Sequence, residues 1–244
     1  MAKLLERIRR ANAGEGVRIG FGASVSKAVA PRLALMIRLA SGSADQLAAA
    51  VGAGPDAVLL EKAPKRADLD QALGGSDKAV VGLIVRDQVP ADLAELTEAG
   101  LDFLILTSTK LPLGVLRQER LTVGLELPLG LDDTRLRALA SAPGQFVTTP
   151  LPNGTAPTVE DLIELRRYGL FLARTMLAEV PPTLPVDDLA VLRDSGLSGI
   201  LVDGADMAAV ADLRQRLNEM PAPIKAPAER PSAVLPAGSL SGSD

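Results

Sequence analysis

The sequence predicts a (β/α)8 barrel: eight parallel strands, each followed by a helix, closed into one sheet. Three observations predict it. The chain has 244 residues, close to the roughly 250 that such a barrel uses. Its apolar content, 47% of residues, is almost wholly aliphatic, with four Phe, one Tyr and no Trp. Branched aliphatic side chains suit strands that are buried on both faces beneath a layer of helices. The third observation is a recurring joint, in which a helical pattern ends in Gly and a short apolar run follows.

That joint occurs around Gly54 (AAAVGAGPDAVLLE), Gly100 (AELTEAGLDFLILTS), Gly169 (ELRRYGLFLARTML) and Gly196 (AVLRDSGLSGILVDG). Glycine just past a helix takes the left-handed conformation that caps it, and the apolar run that follows has strand length. Gly54 and Gly100 are 46 residues apart and Gly100 and Gly169 are 69 apart, both multiples of 23; Gly169 and Gly196 are 27 apart. A step of this size is one strand plus one helix.

The units follow in order. Strand 33–39 (LALMIRL) leads to a helix over 43–53, opened by Ser43 with Asp45. Strand 56–61 (DAVLLE) leads to helix 66–73, and strand 79–85 (AVVGLIV) to helix 90–99, with Pro90 in its first turn. Strand 102–107 (DFLILT) precedes 110–120 (KLPLGVLRQER), where Pro112 and Gly114 shorten the helix to a turn or two. Strand 121–127 (LTVGLEL) leads to helix 132–141, begun by Asp132 and Asp133. Strand 145–149 (QFVTT) leads to helix 158–168, begun by Thr158 with Glu160 and Asp161. Strand 170–177 (LFLARTML) leads to helix 185–195, with Pro185, Asp187 and Asp188 at its start, and strand 198–203 (SGILVD) to helix 206–219. Capping side chains and acidic first turns fit these starts. Strand–helix alternation gives a parallel sheet, and eight consecutive units favour closure. A doubly wound sheet would show G-x-G-x-x-G after its first strand; none is present.

The barrel is thus expected over 33–220. Residues 1–32 are an N-terminal extension, in which Leu4, Leu5 and Ile8 oppose Lys3, Arg7, Arg9 and Arg10. The expected role of this short amphipathic helix is to cover the open bottom of the barrel. Residues 221–244 form a Pro/Gly/Ser-rich tail. Its Gly238-Ser239-Leu240 is similar, over three residues, to part of encapsulin cargo-loading peptides.

Composition narrows the chemistry. A formal net charge of −4 argues against nucleic acid as a partner. No window approaches the ~18 apolar residues of a membrane span, and charge at Glu6 interrupts any signal-peptide core, so a cytoplasmic location is expected. The chain has no Cys and no His. Zinc, haem, copper and Fe–S sites lose their usual ligands, and Ser-His and Cys-His hydrolases are excluded. Carboxylate acid–base chemistry, a lysine Schiff base, Mg²⁺ on carboxylates or an organic cofactor remain; no metal site is assigned.

In barrel enzymes the site lies at the C-terminal strand ends. Those ends carry Arg38, Glu61-Lys62, Arg86-Asp87, Thr107-Ser108-Thr109-Lys110, Glu126, Thr148-Thr149, Arg174 and Asp203. The candidate acids and bases are Glu61, Glu126 and Asp203. Candidate ligand-binding residues are Arg38, Lys62, Arg86 and Arg174, the arginines acting as bidentate clamps, with Gly204 in the turn after strand 8. Lys110 is the candidate Schiff-base residue; its position is similar to that of the strand-4 lysine of transaldolases, though no surrounding motif supports that family. The opposing reading is a self-satisfied ring of ion pairs, since buried charges must be paired. The expected function is binding of a small carboxylate or phosphate at the mouth by a lyase or isomerase. The alternative is a non-catalytic barrel serving as an assembly component, with a protein partner docked through residues 1–16 or 221–244.

Overall fold

The computed structural model describes residues 3–14, 31–74, 79–151 and 156–223. Its elements are α1 (Lys3–Ala13), β1 (Ala34–Leu39), α2 (Ala44–Gly52), β2 (Ala57–Leu60), α3 (Arg66–Leu73), β3 (Val81–Val85), α4 (Leu93–Glu98), β4 (Leu101–Leu106), β5 (Thr122–Glu126), α5 (Asp133–Ala140), β6 (Phe146–Thr149), α6 (Val159–Leu172), β7 (Thr175–Glu179), α7 (Val186–Asp194), β8 (Gly199–Asp203) and α8 (Met207–Asn218). The strands are all parallel and close in sequence order, β8 returning to β1. This is the expected (β/α)8, or TIM, barrel. Between β4 and β5 a 3-10 turn over Leu113–Arg117 stands in place of a full helix, as Pro112 and Gly114 foretell. No helix among the described residues is long and apolar enough to cross a membrane.

Strand alternation sorts the apolar side chains into two layers. Leu35, Ile37, Val58, Leu60, Leu104 and Leu106 join the layer under the helices. Met36, Leu59, Ile84, Phe103, Ile105, Phe146, Leu177 and Leu201 fill the barrel interior. Two glycines make room for the interior aromatics. A Cβ on Gly82 would lie 2.2 Å from the Phe103 ring, and one on Gly124 2.3 Å from the Phe146 ring. The two rings meet edge to face at 6.1 Å, a favoured aromatic geometry.

Helix α1 stands at the N-terminal end of the barrel. Leu4, Ile8 and Ala11 are buried with the interior cluster, while Asn12 donates hydrogen bonds to the Arg32 and Ser198 carbonyls at 2.9 and 2.8 Å. The apolar face read from Leu4 and Ile8 therefore closes that end.

Two expected caps are present: Asp132 accepts from the Arg135 N–H, and Thr158 forms a capping box with Asp161. Ser43 precedes α2 but makes no side-chain cap bond. Pro90 precedes α4, which begins at Leu93, and Pro185 is the N-cap of α7, so neither lies within the first turn as expected. The seventh strand also departs from expectation. Residues 170–172, read as the start of the seventh strand, are the last turn of α6, because Leu165, Tyr168 and Leu172 are buried at helical spacing. Tyr168 fixes this turn by donating to the Pro128 carbonyl and accepting from the Leu131 N–H. Gly169 is thus a helix-interior residue. Ala173 takes the left-handed cap instead, at φ +49°, whereas Gly54, Gly100 and Gly196 all have the positive φ expected of them.

This misplacement of glycine predicts a stability gain. Left-handed backbone costs a non-glycine residue about 1 kcal/mol or more, and helix-interior glycine costs about 0.5–1 kcal/mol against alanine. A Cβ on Gly169 would meet only the Met176 sulfur, at an ordinary 3.8 Å. The double variant Gly169→Ala/Ala173→Gly is expected to gain about 1–2 kcal/mol, measured by urea unfolding.

Candidate functional site

The register aligns a polar ring where the interior-facing positions reach the C-terminal end of the sheet. Arg38 is paired in register with Asp203, and Glu126 with Thr148. Glu179 ends β7, and Glu61 and Arg86 follow β2 and β3 directly.

Arg38 is the hub. Its guanidinium donates to both Glu179 oxygens, at 2.9 and 2.7 Å, and lies 3.4 Å from Glu61 and 3.8 Å from Asp203. Burial works against its charge. The hydrogen bonds to Glu179 and the attraction of Glu179, Glu61 and Asp203 outweigh this and hold its pKa above the ordinary value. Such a fork-to-carboxylate pair fixes both partners, and leaves Arg38 no bidentate face for a ligand.

Arg86 is different. It is exposed, with one loose approach to Glu61 at 3.7 Å. Glu126 stands apart too. Among the described residues nothing hydrogen-bonds its carboxylate or pairs with it within 4 Å. Burial pushes its pKa up; the positive charge of Arg86 opposes this, the negative charge of Glu179 adds to it, and Arg38 opposes it again, with a net rise. The Thr148 hydroxyl, buried at the same level, has no hydrogen-bond partner. A raised carboxyl, an uncommitted hydroxyl and an exposed guanidinium therefore share one end of the barrel. Among the described residues, the strand-end positions of this ring carry four acids (Glu61, Glu126, Glu179, Asp203) and two arginines (Arg38, Arg86).

The remaining candidates fall elsewhere. Arg174 is a correction: with α6 running to Leu172, it precedes β7 and lies at the opposite end, where it donates to the Ala140 and Ala142 carbonyls. Lys62 and Lys110 are exposed, so neither is desolvated as a Schiff-base lysine must be. Gly204 serves packing: its N–H donates to the Arg38 carbonyl at 2.8 Å, and a Cβ there would meet Ile37, Leu39 and that carbonyl at 2.7–2.9 Å. The N-terminus of α8 is already occupied, since Asp206 accepts from the Ala208 and Ala209 N–H groups. Asp203 likewise accepts from Ala205 N–H at 2.8 Å and is largely exposed. No three acids among the described residues are placed to hold a metal ion. Residues 224–244, with Gly238-Ser239-Leu240, and residues 1, 2, 15 and 16 of the N-terminal docking segment lie outside the described residues.

Sequence reasoning missed Glu179, because the misread seventh strand ended before it. It also passed over Thr148, whose signal was its parity with Phe146 in QFVTT.

Comparison with solved structures places the chain among known barrels. A thiamine phosphate pyrophosphorylase from Pyrococcus furiosus superimposes with a TM-score of 0.54 at 16% identity, over 77% of this chain and 96% of the other. A mutant tryptophan synthase alpha-subunit from Pyrococcus furiosus gives 0.55 at 16% identity, over 77% and 97%. A protein from Aquifex aeolicus VF5 gives 0.64 at 11% identity, over 91% and 100%. These likenesses show the fold alone. No protein-family model matches the chain, and no curated protein does.

Proposed function

We propose that the C-terminal mouth binds a small anionic molecule, a carboxylate or phosphate, and exchanges a proton with it as a lyase or isomerase does. Glu126 is the acid–base residue, Arg86 the anion-binding residue, and Thr148 a hydrogen-bond donor to the ligand. Arg38, Glu61, Glu179 and Asp203 form the wall that positions them. The single observation that carries this reading is the Glu126 carboxyl, which faces the mouth without a hydrogen bond while burial raises its pKa. Perturbed titratable groups of this kind mark functional sites, and proton transfer is fastest from a group whose pKa lies nearer the working pH. The two solved barrels whose names specify an activity are, by those names, a phosphate-ester enzyme and a synthase subunit; for this chain they support a barrel that handles small molecules.

The test is a thermal-shift screen of small carboxylic acids and phosphate esters against the wild type and two mouth variants. At least one compound is expected to raise Tm in the wild type, and Arg86→Gln and Thr148→Val are expected to abolish most of that shift. A shift that survives both variants, or no shift with any compound, overturns the reading. Glu126→Gln supplies a separate check. Its burial disfavours the ionised form, so the uncharged amide is expected to leave the fold at least as stable at neutral pH. Any proton-exchange activity is expected to fall about 10²–10⁴-fold.

The saturation of Arg38 by Glu179 favours the non-catalytic reading. That reading predicts no ligand-dependent shift and no change on Arg86→Gln, so the same screen separates the two.

A further inference from the structure

The outer surface over α6 and α7 is apolar where the helices of a barrel ordinarily meet water. Among the described residues five large apolar side chains are exposed, and four of them lie here. They are Val159, Ile163 and Leu170 on α6 and Val191 on α7, at 74, 62, 83 and 51% exposure. Apolar residues scattered singly on a surface are ordinary, whereas a contiguous patch marks an interaction site. The pattern originates in the sequence of α6. Leu165, Tyr168 and Leu172 are buried in the layer under the helices, while Val159, Ile163, Arg166 and Leu170 are exposed. Steps of four, three and four residues place that second set on one face, so α6 is apolar on two sides. It packs closely on α5 and stands off α7. The seam between α6 and α7 holds two adjoining cavities, both lined by Leu162 and Leu192. One, of about 340 Å³, reaches Arg166 and Leu170; the other, of about 130 Å³, reaches Val159 and Val191.

We propose that this face binds a second copy of the chain, with α6 packed antiparallel on α6 about a two-fold axis. A two-fold interface pairs one patch with itself, so that residue i meets j and j meets i. The exposed stripe of α6 has that symmetry. When Ile163 of each copy faces Arg166 of the other, Val159 of each faces Leu170. Glu160, exposed one turn before Ile163, then comes within reach of the second copy's Arg166. The aliphatic stem of that arginine lies over Ile163 while its guanidinium meets the carboxylate. Each dimer makes this acid–arginine contact twice. A parallel arrangement would set Arg166 against Arg166 and lose both contacts, so charge selects the antiparallel one. Helix α6 has 14 residues and is therefore about 21 Å long. A face of that length and two helix diameters wide covers roughly 400 Å² in projection, and more once the relief of its side chains is counted, which suits a weak, reversible dimer. The face lies on the outside of the barrel, independent of the mouth and of the function proposed for it.

Sedimentation equilibrium of the full chain over about 1–100 µM, the range of a weak dimer, tests this. The wild type is expected to show a reversible monomer–dimer equilibrium. Leu170→Glu is expected to weaken association about 100-fold or more, because the dimer would bury its charge against an apolar side chain. Its Tm, measured at low concentration where the monomer prevails, is expected to match the wild type, since the residue is exposed there. Glu160→Arg and Arg166→Glu each set like charges opposite one another in both contacts, and each is expected to weaken association about tenfold. The double variant Glu160→Arg/Arg166→Glu restores opposite charges and is expected to recover the wild-type equilibrium. A wild type that stays monomeric over this range overturns the proposal, as does a dimer that survives Leu170→Glu. A double variant that associates no better than the single ones overturns it as well. A chain that dimerises only after residues 224–244 are removed also overturns it, with the chain's own C-terminal segment as the occupant of the face.

Discussion

Phe103→Ala is expected to destabilise the protein by about 3–5 kcal/mol, the range for removing a fully buried phenyl ring. Phe103 is wholly buried in the barrel interior. Its ring occupies the space left by the missing side chain of Gly82 and meets Phe146 edge to face. Gly82 has no atoms to move into the cavity, and interior residues on neighbouring strands are held by the parallel ladder, so collapse around the gap is restricted. Urea unfolding of Phe103→Ala and Phe103→Leu measures this. The leucine variant, which keeps most of the volume, is expected to cost less than half as much. A loss below about 1 kcal/mol for the alanine variant would mean that the ring is not a keystone of the interior.

Asp56→Asn carries the second large effect. Removing one member of a buried ion pair costs about 3–5 kcal/mol, because the partner charge remains without compensation. Here two partners remain, Arg32 and Arg214, and the Leu35 N–H faces an amide in place of a carboxylate. The Asp56 pKa gives an independent signature. Burial raises it, but the hydrogen bonds and charge of Arg32, the Leu35 N–H and the charge of Arg214 together hold it below its ordinary 3.8. A carboxyl depressed in the folded state contributes stability that is fully present above its unfolded value. That contribution is lost as pH falls through the lower folded value. Wild-type stability is therefore expected to drop below about pH 4 from this group, and the Asp56→Asn curve to lack that component. Parallel curves for the two proteins between pH 5 and 2 would contradict the assignment.

Much of the fold is legible in the sequence because parallel strands covered by helices leave a simple trace. Apolar runs of strand length alternate with capped helices, and glycines with positive φ mark the joints at Gly54, Gly100 and Gly196. The seventh unit resists this reading for a physical reason. Leu170, Phe171 and Leu172 form an apolar run that fits a strand or a helix end equally well, and the cap falls on Ala173, a residue that rarely adopts left-handed backbone. From that one shift Arg174 moves to the other end of the barrel and Glu179 enters the ring.

The site is less legible than the fold. Arg38 and Glu179 are 141 residues apart, and only closure of β8 onto β1 brings them within reach. The polar strand ends showed that a charged ring would form, and the acids Glu61, Glu126 and Asp203 do belong to it. Composition could not show which arginine would be consumed and which left exposed, since that depends on the fork geometry of a single pair. The same holds for Arg32, Asp56 and Arg214, drawn from three distant segments.

Burial keeps Glu126 from ionising easily; the charge of Arg86 opposes this, that of Glu179 adds to it, and that of Arg38 opposes it.

Glu126 is a carboxyl without a hydrogen bond among the described residues, and burial holds its pKa above the ordinary value. Titration of side-chain-labelled glutamate by carbon-13 NMR, with Glu126→Gln to assign the resonance, measures it directly. The Glu126 resonance is expected to titrate above the ordinary 4.5 and to shift further upward in Arg86→Gln, where the strongest opposing charge is gone. A Glu126 titration at or below 4.5, unmoved by Arg86→Gln, would contradict it.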